Sequence, residues 1–143
     1  MVRARDRSRL VAVDVLRGVQ ESIVLFGEER LARSRAAVRD RYGLHDGRRV
    51  ILYAPTFRGD SVTDARATDD LDLGVLKASL GADHVLLVRL HPFVRAQTAI
   101  APDLADFAID VSDHPDINEL MLVSDVLVTD YPSAIYEFSL LGR

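Results

Sequence analysis

Cysteine is absent from the 143 residues. Disulfides, thiolate catalysis and cysteine-ligated zinc are therefore excluded. Long apolar runs are also missing. Crossing a bilayer takes roughly 18–20 consecutive apolar residues. The stretch from Leu10 to Phe26 is rich in Val and Leu, but Asp14, Arg17, Gln20 and Glu21 interrupt it. No A-x-A-like cleavage site follows, which argues against a signal peptide. There is no internal repeat and no low-complexity segment. Nor is there an excess of positive charge: the net charge is −4, which speaks against a general nucleic-acid binder.

What charge there is lies unevenly. Residues 1–50 hold twelve arginines against seven acids, a balance of +5, and residues 51–143 hold six basic residues against fifteen acids, a balance of −9. A basic front of this kind either faces an anionic surface, such as a membrane or an acidic polymer, or is simply solvated. With 48% of residues apolar, the chain is long enough for one domain with a buried core.

The pattern along the chain alternates. Residues 10–26 suit a loose amphipathic helix, broken at Gly27–Arg30. Leu31 to Tyr42 reads as a helix stopped by Gly43. Val50–Tyr53 is a short apolar run ended by Pro55, as expected of a buried strand. Arg58 to Asp70 is a polar loop, and a loop of that length in a domain is often functional. Leu71 to Leu80 predicts a helix, His84 to Leu90 a strand, 93–105 a weak helix and Phe107 to Val111 a strand. Ile117 to Val123 predicts a helix, Val126–Val128 a strand and Ser133 to Leu141 a final helix. Continuous apolar strands alternating with helices indicate an α/β fold: a Rossmann-like parallel sheet covered on both faces.

In such sheets ligands bind beyond the carboxyl ends of the strands, and the unusual residues fall there. They are Ala54-Pro55-Thr56-Phe57-Arg58, Arg89-Leu90-His91-Pro92, Ser112-Asp113-His114-Pro115 and Thr129-Asp130-Tyr131-Pro132-Ser133. Together they suggest a site for a phosphorylated ligand without naming a reaction. Ser133 opens a helix, where free N–H groups and the helix dipole favour a phosphate. Pro132 suits the first helical turn. Glu137, one turn on, is placed to accept from ribose hydroxyls. Arg58 offers a fork of donors to a phosphate. His91 suits a general acid or base, or a donor to a pyrophosphate oxygen.

Each residue taken singly also has a structural reading. Asp130 and Ser133 double as helix caps, Glu137 as a solvated helix residue and Arg58 as a surface ion-pair partner. Arg89 would neutralise a nearby acid, and His91 is a turn residue before Pro92. His45 and His84 read as structural or surface residues, while His114 stays open to either reading. No His and carboxylate spacing makes a metal site.

Several motifs then converge. Ile51-Leu52-Tyr53-Ala54-Pro55-Thr56-Phe57-Arg58, Arg89-Leu90-His91-Pro92, and Asp116-Ile117-Asn118-Glu119-Leu120 through Ser124-Asp125-Val126-Leu127-Val128-Thr129-Asp130-Tyr131 occur in that order. From about Leu31 onward the sequence resembles the CDP-glycerol:poly(glycerophosphate) glycerophosphotransferases of teichoic acid synthesis. The resemblance implies an incomplete half of a GT-B architecture: residues 1–30 a helical remnant of a linker or amino-terminal domain, and 31–143 a partial nucleotide-binding Rossmann domain.

It also implies transfer of glycerol phosphate, or a related polyol phosphate, from CDP-glycerol or another CDP-polyol to a hydroxyl of a membrane-linked polymer. CMP is released; no cofactor is expected beyond the donor substrate, and assistance by a divalent ion stays open. By position, His91 would be catalytic. Thr56, Arg58, Arg89, Thr129, Asp130, Ser133 and Glu137 would hold the donor. The protein would sit peripherally on the cytoplasmic side of the plasma membrane and bind no nucleic acid. The piece alone would be inactive. Pro132 stands where the family usually has a serine, so one hydroxyl for phosphate is lost. The alternatives are a non-catalytic nucleotide-binding module, or a GT-B glycosyltransferase with another nucleotide-sugar donor.

Overall fold

A strand buried on both faces shows no polar alternation, and two of the chain's apolar runs, Arg49–Tyr53 and His84–Val88, behave this way. The computed structural model describes residues 27–55, 71–90, 99–130 and 132–141. The elements are α1 (Glu28–Tyr42), β1 (Arg49–Tyr53), α2 (Leu73–Leu80), β2 (His84–Val88), a 3-10 turn (Pro102–Leu104), β3 (Ala108–Asp110), α3 (Ile117–Val123), β4 (Val126–Val128) and α4 (Pro132–Ser139). The expected helix at 10–26 and the whole polar loop at 58–70 lie outside the described residues, as do residues 93–98. In the rest of the stretch expected to be weakly helical, 99–105, only the 3-10 turn forms.

Element ends differ from expectation for local reasons. The break expected at Gly27–Arg30 is shorter. Gly27, at φ 63°, stays outside the helix, and Glu28 to Arg30 form its first turn. Glu and Arg are good helix formers, and acids suit the positive end of the dipole. At the far end Gly43 takes φ 66°, and the Leu44 N–H returns to the Arg39 carbonyl at 2.9 Å, a glycine-stopped terminus. Helix α2 begins at Leu73 rather than Leu71. Asp72 stays extended and its carboxylate accepts the Val75 N–H at 3.0 Å, as an N-cap should. Asp116 caps α3 in the same way, accepting from Asn118 N–H at 2.8 Å.

The four strands form one parallel sheet in the order β3-β2-β1-β4. Ile51 lies between Leu86 on one side and Val126 on the other, and Leu86 pairs in turn with Ala108. The pleat divides the strand residues between two cores. On one face Val50, Leu52, Val85 and Leu87 pack with Val38 of α1, Leu120, Met121 and Val123 of α3, and Ala134 and Phe138 of α4. On the other, Ile51, Leu86, Val88 and Leu90 pack with Phe107 and Ala108, beneath Leu73, Leu76 and Leu80 of α2. Leu52 and Leu87, paired in register, are both fully buried; truncating either to alanine would cost about 2–5 kcal/mol. Among the described residues no helix is long and apolar enough to cross a membrane.

The order sets a reversal. The chain steps outward from β1 through β2 to β3, then returns to place β4 on the other side of β1. The crevice between the carboxyl ends of β1 and β4 is the topological switch point of the sheet, where ligands bind in folds of this class.

Candidate functional site

Backbone hydrogen bonds tie the four strand exits into one rim. The Ala54 N–H, just past β1, donates to the Val128 carbonyl of β4 at 2.9 Å, and the Arg89 N–H, just past β2, donates to Tyr53 O at 2.9 Å. Val111 N–H, just past β3, donates to Val88 O at 2.9 Å. Side chains extend the ties. The Thr129 hydroxyl donates to the Ala54 carbonyl at 2.6 Å, a second tie between the ends of β4 and β1. Ser112 Oγ accepts the Leu90 N–H at 2.9 Å and donates to Asp110 Oδ1 at 2.5 Å.

The sequence-based candidates fall on this rim where the structure describes them. Arg89 is half-buried at the exit of β2, and its Nε is buried with no hydrogen-bond partner among the described residues. An unmet donor of this kind costs about 1–3 kcal/mol, and more when charged; an anion would satisfy it. Thr129 and Asp130 follow β4, Asp130 exposed. In α4, Ala134 and Phe138 turn into the core while Ser133 and Glu137 are exposed one turn apart. Thr56, Arg58 and His91 lie outside the described residues. Among the described residues no group of three or more His, Asp or Glu is placed to hold a metal ion.

Other polar residues belong to the scaffold. His114 is 5% exposed. Its Nδ1 lies 3.1 Å from the Tyr42 hydroxyl and its Nε2 3.1 Å from Glu119 Oε2. A neutral ring satisfies both contacts, accepting from the phenol at Nδ1 and donating to the carboxylate from Nε2. Ser34 donates to the other Glu119 oxygen at 3.2 Å, so the chain Tyr42–His114–Glu119–Ser34 binds α1 to α3. His45 is exposed and paired with Asp40 at 3.2 Å. At the opposite end of the sheet, Asp125 Oδ2 accepts the Val50 N–H at 2.8 Å while its own N–H donates to Val50 O at 2.7 Å.

Arginines of the basic front have local uses. Arg35 donates to Leu122 O, Arg39 to Leu44 O and Arg48 to Asp46, at 3.1, 3.0 and 2.6 Å, and Arg33 pairs with Glu29 at 3.7 Å.

A switch point with an arginine donor unmet among the described residues fits a phosphorylated ligand, and comparison with known proteins narrows the group. The family described as CDP-Glycerol:Poly(glycerophosphate) glycerophosphotransferase matches residues 24–143. The chain belongs to this family. This glycerophosphotransferase-family chain is 37% identical over 127 residues to the teichoic acid poly(ribitol-phosphate) polymerase of Bacillus spizizenii, covering 88% of the chain and 20% of that protein. It is 38% identical over 109 residues to the teichoic acid poly(glycerol phosphate) polymerase of the same organism, covering 74% and 27%. The solved structure of the wall teichoic acid polymerase TagF superposes with a TM-score of 0.69 at 33% identity, over 84% of this chain and 30% of that one. A TagF variant soaked with CDPG gives 0.71 at 35% identity, over 84% and 29%. The family chain thus spans less than a third of each of these relatives.

Within the family's motifs the structure separates two kinds of residue. Asp116, Glu119 and Asp125 hold the fold together, whereas Arg89, Thr129, Asp130, Ser133 and Glu137 stand at the carboxyl end. Sequence reasoning missed Asp110 and Ser112 as organisers of the rim. Their Asp-x-Ser spacing at a strand end is the available signal, since an Asp carboxylate commonly accepts from the backbone two residues on.

Proposed function

We propose that this chain supplies part of the donor site of a transferase that moves glycerol phosphate, or a related polyol phosphate such as ribitol phosphate, from a CDP-polyol to a hydroxyl of a teichoic-acid-type polymer. The observation that carries the reading is the hydrogen-bonded rim of four strand exits at the β1–β4 switch point, in a chain of this family, with a buried Arg89 donor that has no partner among the described residues. Arg89 and Arg58 hold the pyrophosphate. The exposed Ser133 and Glu137 take a phosphate oxygen and the ribose hydroxyls, and Thr129, Asp130 and Thr56 line the crevice between them.

The acceptor hydroxyl attacks the phosphorus that carries the polyol, its bond to the bridging oxygen breaks, and CMP leaves with that oxygen. Negative charge grows on the leaving CMP. A protonated His91 offsets that charge, and one well-placed donor of this kind is worth roughly 3–4 kcal/mol of barrier. The acceptor's proton is released on bond formation. The polymer is carried at the cytoplasmic face of the membrane, where the protein associates peripherally. Residues 31–143 form the nucleotide-binding unit, and 1–30 lead into it.

Calorimetric titration with CDP-glycerol, CDP-ribitol and a UDP-sugar tests this. The CDP-polyols bind and perturb amides at residue 89 and at 129–137, while the UDP-sugar binds at least tenfold more weakly. Equal binding of the UDP-sugar, or perturbation confined to α1, overturns the reading.

A further inference from the structure

The rung after Val88 departs from regular parallel pairing. With Leu86 opposite Ala108 and Val88 opposite Asp110, Leu86 N–H donates to Phe107 O at 2.7 Å and Val111 N–H to Val88 O at 2.9 Å. Continued regularly, the Leu90 N–H would meet the Val111 carbonyl. That carbonyl instead accepts the His114 N–H at 3.0 Å, because the chain leaves the sheet there. Ser112 Oγ takes its place, 2.9 Å from the Leu90 nitrogen.

A hydroxyl carries one proton and two lone pairs, so its orientation decides whether it accepts. Asp110 Oδ1 takes the proton at 2.5 Å and also the Ser112 N–H at 2.9 Å. A lone pair is thereby turned toward Leu90. The result is a pin on each side of the β2 exit: Arg89 is tied to β1 through Tyr53 O, and Leu90 to the β3 side through Ser112. Leu90 is also 5% exposed in the second core.

We propose that Ser112, oriented by Asp110, is a positioning residue that fixes the β2 exit and so places the Arg89 guanidinium for a donor phosphate. The role rests on the donor-site reading above and deepens it: Ser112 touches no ligand and acts through the backbone of residues 89–90. Its effect is therefore specific to the phosphate part of the donor. A nucleoside without phosphate gains nothing from Arg89 and is indifferent to Ser112.

The test uses the chain with CDP-glycerol and cytidine, followed by NMR titration with amide exchange at Leu90. Ser112→Ala speeds Leu90 exchange and raises the Kd for CDP-glycerol about tenfold, the scale of one lost hydrogen bond. Cytidine binding stays within about twofold, and Ser112→Thr restores wild-type behaviour. Asp110→Ala, which frees the hydroxyl but keeps the acceptor, gives a smaller loss of the same selectivity and serves where Ser112→Ala does not fold. Equal losses for both ligands, or unchanged CDP-glycerol binding despite faster Leu90 exchange, overturn the positioning role. A wild-type chain that binds neither ligand overturns the donor-site reading and the positioning role with it.

Discussion

Replacing His114 with alanine tests whether this buried ring is structural. The change deletes the contact from the Tyr42 hydroxyl and the contact to Glu119, each 3.1 Å long. A neutral hydrogen bond is worth about 1 kcal/mol and one to a carboxylate about 1.5–3. The Glu119 side chain is 37% exposed, so water replaces part of the latter and the lower figure applies. The ring itself is 5% exposed, and its removal leaves a cavity worth about another 1 kcal/mol. The expected loss is about 3.5 kcal/mol, on the order of 10 °C in Tm for a domain of this size. Thermal and urea melts measure it, and a double cycle with Tyr42→Phe should return a coupling of about 1 kcal/mol. CDP-glycerol affinity of the folded fraction should not change. A Tm within about 2 °C of wild type, or a loss of affinity without loss of stability, refutes the structural assignment.

Asp125→Ala strips the acceptor from the fully buried Val50 N–H and should cost about 1.5–3 kcal/mol in urea unfolding; less than 0.5 kcal/mol refutes the role. Burial raises the Tyr42 phenol above its ordinary range, with Asp113 and Asp110 adding to the shift and Arg41 opposing it. The folded state thus holds this proton more tightly than the unfolded chain. The corresponding stability is intact below the unfolded phenol pKa and declines as pH rises through the folded one. Urea midpoints should fall above about pH 10, and Tyr42→Phe should flatten the fall; an equal slope in both proteins contradicts it. In an active protein carrying this segment, His91→Ala should lower kcat by about two to three orders of magnitude, while His84→Ala, at the start of β2, acts on stability. CMP release and Tm are read together, and near-normal turnover of His91→Ala removes its catalytic assignment.

The sheet was legible because its central strands, β1 and β2, are buried on both faces and the outer two are short apolar runs. Val50 to Tyr53 and Val126 to Val128 carry no polar alternation, and glycine, proline or aspartate bounds them. The rim was legible for the same reason, since chemistry-bearing residues at strand exits share one edge once the strands are parallel. The partners of those residues were not legible. Asp125 meets Val50 across 75 residues and His114 meets Tyr42 across 72; both contacts depend on which elements become neighbours, and composition does not carry that. Ser112 was visible as a strand-end residue, but its task depends on register with Leu90, 22 residues upstream. Helix ends shifted by one to three residues, at α2 because Asp72 capped the first N–H groups and at α1 because Glu28 to Arg30 joined the first turn. Thr56, Arg58 and His91 were singled out from sequence and lie outside the described residues.

The switch point also fixes when the crevice comes into being. Strands β1, β2 and β3 follow one another along the chain and pair in sequence order, so their part of the sheet closes through comparatively short loops. The β1–β4 seam joins residues 75 positions apart, Val50 with Asp125 at one end and Ala54 with Thr129 at the other. Loop closure of that length brings a larger entropic barrier, and pairing of distant segments slows folding. During synthesis the β1–β4 seam thus closes after the β1–β3 part of the sheet, only once Thr129 has emerged. Until then the β1 edge is open, and the nascent chain has part of a sheet but no switch point.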